Sequence, residues 1–416
     1  MKTLIVIPTY WAKKGFGPVK RLKPIFDHPT PIDEDGTLMR AIESLRKIGN
    51  GTDILVLASA FSKKIEKEMN DKLIKKLDSY SKKYKLKLYY LSSFQLDCLK
   101  KELHKFSSKY DLFLGFKGYS RVRNLSLLIA QVLDEDILIS IDDDEYVTDP
   151  KFLAKAKEFI GKEFNEKRID GISGYCHYGD GRYKLKIKRC KWSSAWNQAK
   201  KMNQAFDKFI GKGPRLKDAH FMLTGCAVLH KNLFKKVPFD YKINRGEDSD
   251  YLINAKMFGF NIFFDNEFWI MHDPPSGTYP LWKTHRSDIY RFIYEREKLR
   301  QQKRHKGMKK VKLKDLSPYI SAFLGNNLDN KIKKSSEILY EQYSSLGDGF
   351  SASECLRNIE LAKTKAMPKY DVFKHMLRLQ RKWESFSNLL SKKEVKKALK
   401  KCLIVFDYSE PKKIEK

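Results

Sequence analysis

The chain has 416 residues, 42% of them hydrophobic, and its 83 Lys and Arg outnumber 51 Asp and Glu to give a net charge of +32. The length suits one large domain with an accessory part, and the apolar fraction excludes a wholly disordered chain. No apolar run approaches the roughly 20 residues that span a bilayer, and the opening run Leu4–Ile7 stops at Pro8, too soon for the apolar region of a signal peptide.

A cytoplasmic protein is therefore expected. The cysteines Cys98, Cys176, Cys190, Cys226, Cys355 and Cys402 lie far apart with no C-x-x-C pair, which indicates neither a zinc ribbon nor a disulfide framework. The positive charge has two readings: attraction to nucleic acid, an anionic membrane face or a phosphorylated substrate, or helices that solvate themselves with lysine, as in Lys392-Lys393-Glu394-Val395-Lys396-Lys397. The lysines run along the whole chain without a block of pure charge or a basic-aromatic repeat. That favours self-solvation, so no nucleic acid is expected as a partner. Contact of the basic C-terminal helices with the inner face of a membrane stays open.

In chain order, Leu4–Ile7 reads as a strand ended by Pro8, and Tyr10–Asp35, rich in Gly and Pro, as a long loop. Thr37 caps a helix to about Lys47. Asp53–Ala58 is a second strand, followed by a Lys/Glu-rich helix to about Tyr84. Leu86–Leu91 is a third strand, Ser120–Val132 a helix, and Ile137–Ile141 a fourth strand. Beyond Pro150 come a helix over about 151–161, strands near Gly171–Tyr175 and Tyr183–Ile187, and a helix near Ser193–Phe209. An apolar stretch Phe221–Leu229, a helix Glu247–Phe258 and strands Asn261–Phe264 and Phe268–Met271 follow. From about Trp282 nearly everything is Lys-rich amphipathic helix, apart from a terminal Leu403–Tyr408 run. The alternation predicts an α/β fold, a mainly parallel sheet flanked by helices, over 1–280, with a mostly α-helical extension over 281–416.

The segment Ile139-Ser140-Ile141-Asp142-Asp143-Asp144-Glu145 delivers four consecutive carboxylates to the end of a buried strand, where ligands of open α/β sheets bind. That much charge at one point is costly without a cation, which points to Mg²⁺ or Mn²⁺. Strand alternation makes Asp142 and Asp144 converge and turns Asp143 away. The competing explanation is a solvated acidic turn, which the preceding buried strand disfavours.

Downstream, Arg245-Gly246-Glu247-Asp248-Ser249-Asp250 opens a helix. The helix dipole alone favours acidic residues in a first turn. A fixed carboxylate there can also take the proton of an attacking hydroxyl. His272 closes the run Phe268–Met271; a lone histidine is usually structural, yet neutral imidazole is a common ligand for Mn²⁺-type ions. Gly118-Tyr119-Ser120-Arg121-Val122-Arg123-Asn124 precedes a helix, where arginines and helix N-terminal amides suit a diphosphate.

Taken together over about residues 1–275, these segments resemble the GT-A fold glycosyltransferases, especially family 2. The likeness runs through Pro8-Thr9-Tyr10, Arg123-Asn124, the D-x-D of Asp142-Asp143-Asp144, Gly225, Phe239-Asp240, Gly246–Leu252, Gly259 and His272, in that order. The resemblance implies a GT-A fold and transfer of a sugar, as in a hexosyltransferase, from a nucleotide-sugar donor to a glycan, lipid-linked or small-molecule hydroxyl acceptor. It implies that Pro8, Thr9, Tyr10, Arg121, Arg123, Asn124, Asp142 and Asp143 meet the donor, and that Asp142, Asp144 and His272 hold Mn²⁺ or Mg²⁺. Asp248 is then the base, with Glu247 orienting the acceptor, which implies inversion; retaining enzymes share the fold. The sequence departs from the family in Leu57-Ala58-Ser59-Ala60, which lacks the acidic residues often found after the second strand, and in its long Tyr10–Asp35 loop. Two other functions stay open: a sugar nucleotidyltransferase, disfavoured by Pro8-Thr9-Tyr10-Trp11 where a Gly-rich basic loop belongs, and a polyanion or membrane-surface binder.

Overall fold

The computed structural model of the chain describes residues 1–15, 26–46, 52–187, 190–275 and 279–409. Its strands are β1 (Thr3–Ala12), β2 (Thr30–Pro31), β3 (Asp53–Ala60), β4 (Lys87–Leu91), β5 (Ile137–Ser140), β6 (Glu145–Tyr146), β7 (Glu163–Phe164), β8 (Lys167–Arg168), β9 (Gly171–His177), β10 (Leu216–Asp218), β11 (Ala227–His230), β12 (Ile262–His272) and β13 (Ile404–Asp407). The helices are α1 (Leu38–Leu45), α2 (Lys63–Tyr84), α3 (Ser93–His104), α4 (Tyr119–Val132), α5 (Phe152–Glu158), α6 (Lys191–Ala195), α7 (Gln198–Phe209), α8 (Lys231–Phe234), α9 (Glu247–Met257), α10 (Leu281–Gln301), α11 (Leu328–Ser345), α12 (Gly349–Lys363), α13 (Val372–Leu390) and α14 (Lys393–Lys400).

One large sheet runs in the order β10-β12-β9-β11-β5-β1-β3-β4-β13. Strands β5, β1, β3 and β4 are mutually parallel, as are β9 and β12; β11, β10 and β13 join antiparallel. The strands are near-continuous apolar runs because helices cover both faces. On one face Ile5, Ile7, Val56 and Tyr90 pack under α1 and α2. On the other, Leu4, Val6, Leu55 and Leu138 share a core with Leu125 and Leu128 of α4 and with Phe373, Trp383 and Phe386 of α13.

Several sequence expectations change. Pro8 does not end the first strand; β1 continues to Ala12 and Pro8 pairs with Leu57 of β3. Val6 O accepts from Ile141 N, so Val6, and two residues on Pro8, face the β5 side, where β5 has already stopped. The missing N–H of Pro8 therefore removes no ladder bond. The strand expected over Tyr183–Ile187 is absent, because the backbone of Leu185 bonds the Asn203 side chain of α7 at 2.8 and 3.0 Å instead of a neighbouring strand. The two strands near 261–271 are one, β12, whose register shifts between Phe264 and Trp269. Helix α3 was not anticipated. Of the expected Tyr10–Asp35 loop, 16–25 lie outside the described residues, as does Lys47, and Thr30 and Pro31 pair with Trp11 and Ala12.

The expected cut at 280/281 falls between β12 and α10. Beyond it the described residues are mostly helical as far as β13, which adds an edge strand to the sheet beside β4. Cys98 on α3 and Cys402 form a disulfide across a sequence separation of 304, where the sequence had indicated no disulfide framework. Sequence spacing hid it because the fold brings the two Cα atoms to 5.6 Å.

Candidate active site

Chain order reverses at β1, whose neighbours are β3 on one side and β5 on the other. Such a switch point opens a crevice beyond the carboxyl ends of the strands. Thr9 Oγ1 of β1 donates to Asp143 Oδ2 across it at 2.6 Å, and both residues are buried. Trp11 Nε1 in turn donates to Thr9 Oγ1 at 3.1 Å.

After Ser140 the chain leaves the strand and turns, with Glu145 N bonded to Asp142 O at 3.1 Å. Strand alternation therefore does not govern Asp142, Asp143 and Asp144, and each carboxylate finds its own partner. Asp142 Oδ1 takes Arg123 at 2.8 Å, Asp143 takes Thr9, and Asp144 Oδ2 lies 3.4 Å from His272 Nε2. Burial and then the charge of Asp144 push Asp143 well above the usual carboxylate range. Burial would also raise Asp144, but the His272 hydrogen bond and charge hold it below. Burial works against the charge of His272 as well, and Asp144 outweighs it, so its pKa rises.

Glu145 completes the turn. It opens β6, directly opposite His272 on β12, and its Oε2 accepts from Asp142 N at 2.7 Å. Its Oε1 lies 3.3 Å from Cys176 Sγ. The ligand atoms of Glu145, Cys176 and His272 lie within 4.8 Å of one another. A Cβ on Gly225 would collide with the Glu145 carboxylate, which explains glycine there.

This donor set fits a hard divalent ion. Asp144, Glu145 and His272 offer carboxylate oxygen and imidazole nitrogen, the ligands Mn²⁺ accepts. Burial and the adjacent Glu145 push the Cys176 thiol well up, so the thiolate that would favour a soft metal is suppressed.

Arg123 links this turn to the start of α9. It is 4% exposed, bonds Ser140 Oγ and Asp142 Oδ1 at 2.8 Å each, and sets Nε 3.4 Å from Glu247 Oε1. Burial opposes its charge; Asp142 and then Glu247 more than offset that and raise its pKa. Burial pushes Glu247 up to about 7, with Arg123 opposing and Asp248 adding. Burial also raises Asp248, against the pull of Arg291.

The α9 acids separate by role. Gly246 sits at φ +74, and Arg291 of α10 passes so close that any Cβ would strike it. Asp250 points into the fold, where it pairs with the fully buried Lys298 and accepts from Asn254 Nδ2 at 2.8 Å. Glu247 turns to Arg123, while the charge of Arg291 acts on Asp248.

The arginines and Asn124 separate too. Arg121 lies two residues before Arg123, hence on the other side of α4, with its guanidinium 5.7 Å from the Tyr241 ring. Asn124 is fully buried, and both its amide atoms bond the Phe239 backbone at 2.9 Å, so it fastens α4 to that segment. Pro8 is buried in β1. Tyr10 stacks on Phe26 at 3.5 Å, and its buried hydroxyl has no hydrogen-bond partner among the described atoms. Arg123, Asp142 and Glu247 all act on that hydroxyl electrostatically.

Sequence reasoning missed three residues here. His28 lies close enough for its charge to lower Asp144, and its buried Nδ1 is unpartnered among the described atoms. The only signal was its place in a loop long enough to fold back over the crevice. Cys176 and Arg291 carry no local motif; one arrives by β9 register and the other by helix packing.

No protein-family model and no curated protein matches the sequence. Among solved structures, the chain is similar to a mannosyltransferase from Pyrobaculum calidifontis in complex with GDP-Man and Mn²⁺, at 10% identity and a TM-score of 0.45, covering 94% of this chain and 86% of that one. It is also similar to GalNAc-T7 with UDP, GalNAc and Mn²⁺, at 13% identity and a TM-score of 0.39, covering 82% and 57%. A mycobacterial protein follows at 12% identity and 0.35, covering 70% and 72%.

Proposed function

We propose that the protein is a metal-dependent glycosyltransferase of GT-A type that moves a hexose from a nucleotide-sugar donor to a hydroxyl acceptor. One observation carries this reading: the Asp142–Glu145 turn, at a sheet switch point, meets Arg123 and His272, and Arg123 links it to Glu247. Asp144 and His272, with Glu145 beside them, would hold Mn²⁺ or Mg²⁺. When bound, that ion supplies Lewis-acid neutralisation of the departing diphosphate.

The chain's own residues do the remaining work. Thr9 fixes Asp143, and Tyr10 offers, on the donor side, a hydroxyl with no partner among the described atoms. Asp142 keeps its second oxygen for ribose or the ion while Arg123 holds the first. Arg123 adds fixed positive charge next to the leaving group, where preorganised charge contributes most. Asp248 takes the acceptor's proton, and Glu247, beside Arg123, orients the hydroxyl. A carboxyl raised by burial is a better base near neutral pH than an ordinary one.

Transfer assays with a panel of sugar nucleotides and mass detection of products test this reading. Activity that requires Mn²⁺ or Mg²⁺ and falls at least about a hundredfold in Asp248→Asn is expected. Pyrophosphate release from NTP and sugar phosphate would replace it with a nucleotidyltransferase.

A further inference from the structure

A cavity of about 1410 Å³ lies beside the start of α9, walled by α10, α12 and the 364–370 segment. It is larger than the ~300–1,000 Å³ of an ordinary small-ligand site. Nine Lys and Arg line it against two carboxylates, Asp27 and Glu354, and both carboxylates are engaged. Asp27 takes Arg245 at 3.0 Å, and Glu354 takes Arg286 at 2.6 Å and Arg357 at 3.2 Å. Lys117, Lys242, Lys283, Lys365 and Lys369 form no ion pair with any described carboxylate.

Lys283 is the decisive residue. It is only 7% exposed, it lines the cavity, and its Nζ has the Tyr279 ring at 5.3 Å but no hydrogen-bond partner among the described atoms. A buried ammonium without an acceptor is costly to keep. Burial, with Arg286 adding, draws its pKa down to about 8, and an anion in the cavity would reverse that. Tyr290 and Tyr370, 36% and 42% exposed, line the same cavity. Exposed aromatic rings among cations suit a ligand that alternates sugar rings with negative groups.

We propose that this cavity is the acceptor site and that the acceptor is an oligosaccharide bearing phosphate or carboxylate groups. The proposal rests on the glycosyltransferase reading, because the cavity becomes an acceptor site only by adjoining the Glu247–Asp248 turn. Arg291 forms that junction, lining the cavity and passing against Gly246.

Calorimetric titration of the full chain, without donor or metal, tests it. The probes are a phosphorylated hexasaccharide, a uronic-acid hexasaccharide, a neutral hexasaccharide, inorganic phosphate and anionic phospholipid vesicles. One of the two anionic hexasaccharides should bind at least about tenfold more tightly than the neutral one and than phosphate, and which one does so identifies the anionic group. Lys283→Met should weaken that binding about tenfold, as should the surface double variant Lys365→Gln/Lys369→Gln, which keeps the test valid if Lys283→Met fails to fold.

Equal affinity for the neutral chain, phosphate binding as tightly as either hexasaccharide, unchanged affinity in the double variant, or no binding at all would overturn the proposal. Vesicle binding lost in the double variant would replace it with a membrane surface. Donor binding with Mn²⁺ is measured separately. If it fails while the anionic chain still binds, the transferase reading is what falls.

Discussion

Arg123 and Asp142 form a bond of 2.8 Å that ties the first helix turn after Gly118 to the acidic turn after β5. The same guanidinium reaches Glu247 at 3.4 Å, so a cation that is 4% exposed sits between two carboxylates from distant parts of the chain. Removing one partner of a buried pair leaves an uncompensated charge, which typically costs about 3–5 kcal/mol. Arg123→Met should therefore lower stability by roughly 3 kcal/mol in urea titrations and abolish transfer. Wild-type stability in that variant would mean the link carries no energy.

Glu247 gives a pH dependence with a definite sign. Its folded pKa of about 7 lies above the ordinary 4.5, so its contribution to stability is fully present below pH 4.5 and is lost as pH rises through 7. Glu295, raised to about 8 by burial, acts in the same direction over 4.5 to 8. Glu247→Gln should reduce the stability difference between pH 5 and pH 8.5 by on the order of 2 kcal/mol. Denaturation curves of the two proteins at both pH values decide it, and an unchanged difference would place the titration elsewhere.

Asp250 is predicted to be structural although it lies two residues from Asp248. Its pairing with Lys298 is fully buried, so Asp250→Asn should cost about 3 kcal/mol or more. Below the melting temperature, donor affinity should stay within about twofold. A selective loss of activity with unchanged stability would move Asp250 into the chemistry.

Gly225 packs against the Glu145 carboxylate, which Asp142 N and Cys176 hold in place. Gly225→Ala should cost about 1–3 kcal/mol and weaken Mn²⁺ binding by displacing Glu145. Calorimetric titration with Mn²⁺ and thermal unfolding of the variant check both effects.

The parallel half of the sheet was legible because Asp53–Ala60, Lys87–Leu91 and Ile137–Ser140 are buried on both faces and read as continuous apolar runs. Likewise α2, α4 and α9 were legible as helical segments between the strands. The acidic turn was visible as chemistry but misjudged as geometry, since nothing local reveals that β5 stops at Ser140. Glu145, Cys176 and Gly225 meet only through the pairing of β6 with β12 and of β9 with β11, contacts set by register rather than by motif. The annex was opaque for a related reason. Its amphipathic helices showed which faces are apolar, but not that α13 would cover α4 or that Ile404–Asp407 would join β4.

Thermal unfolding with a panel of sugar nucleotides, with and without Mn²⁺, tests most directly whether Asp144 and His272 share a cation under a donor. At least one nucleotide sugar should raise Tm only when Mn²⁺ is present, by mass action, and the shift should vanish in both Asp144→Asn and His272→Ala. A donor-dependent shift that survives in either variant, or that needs no metal, would contradict it.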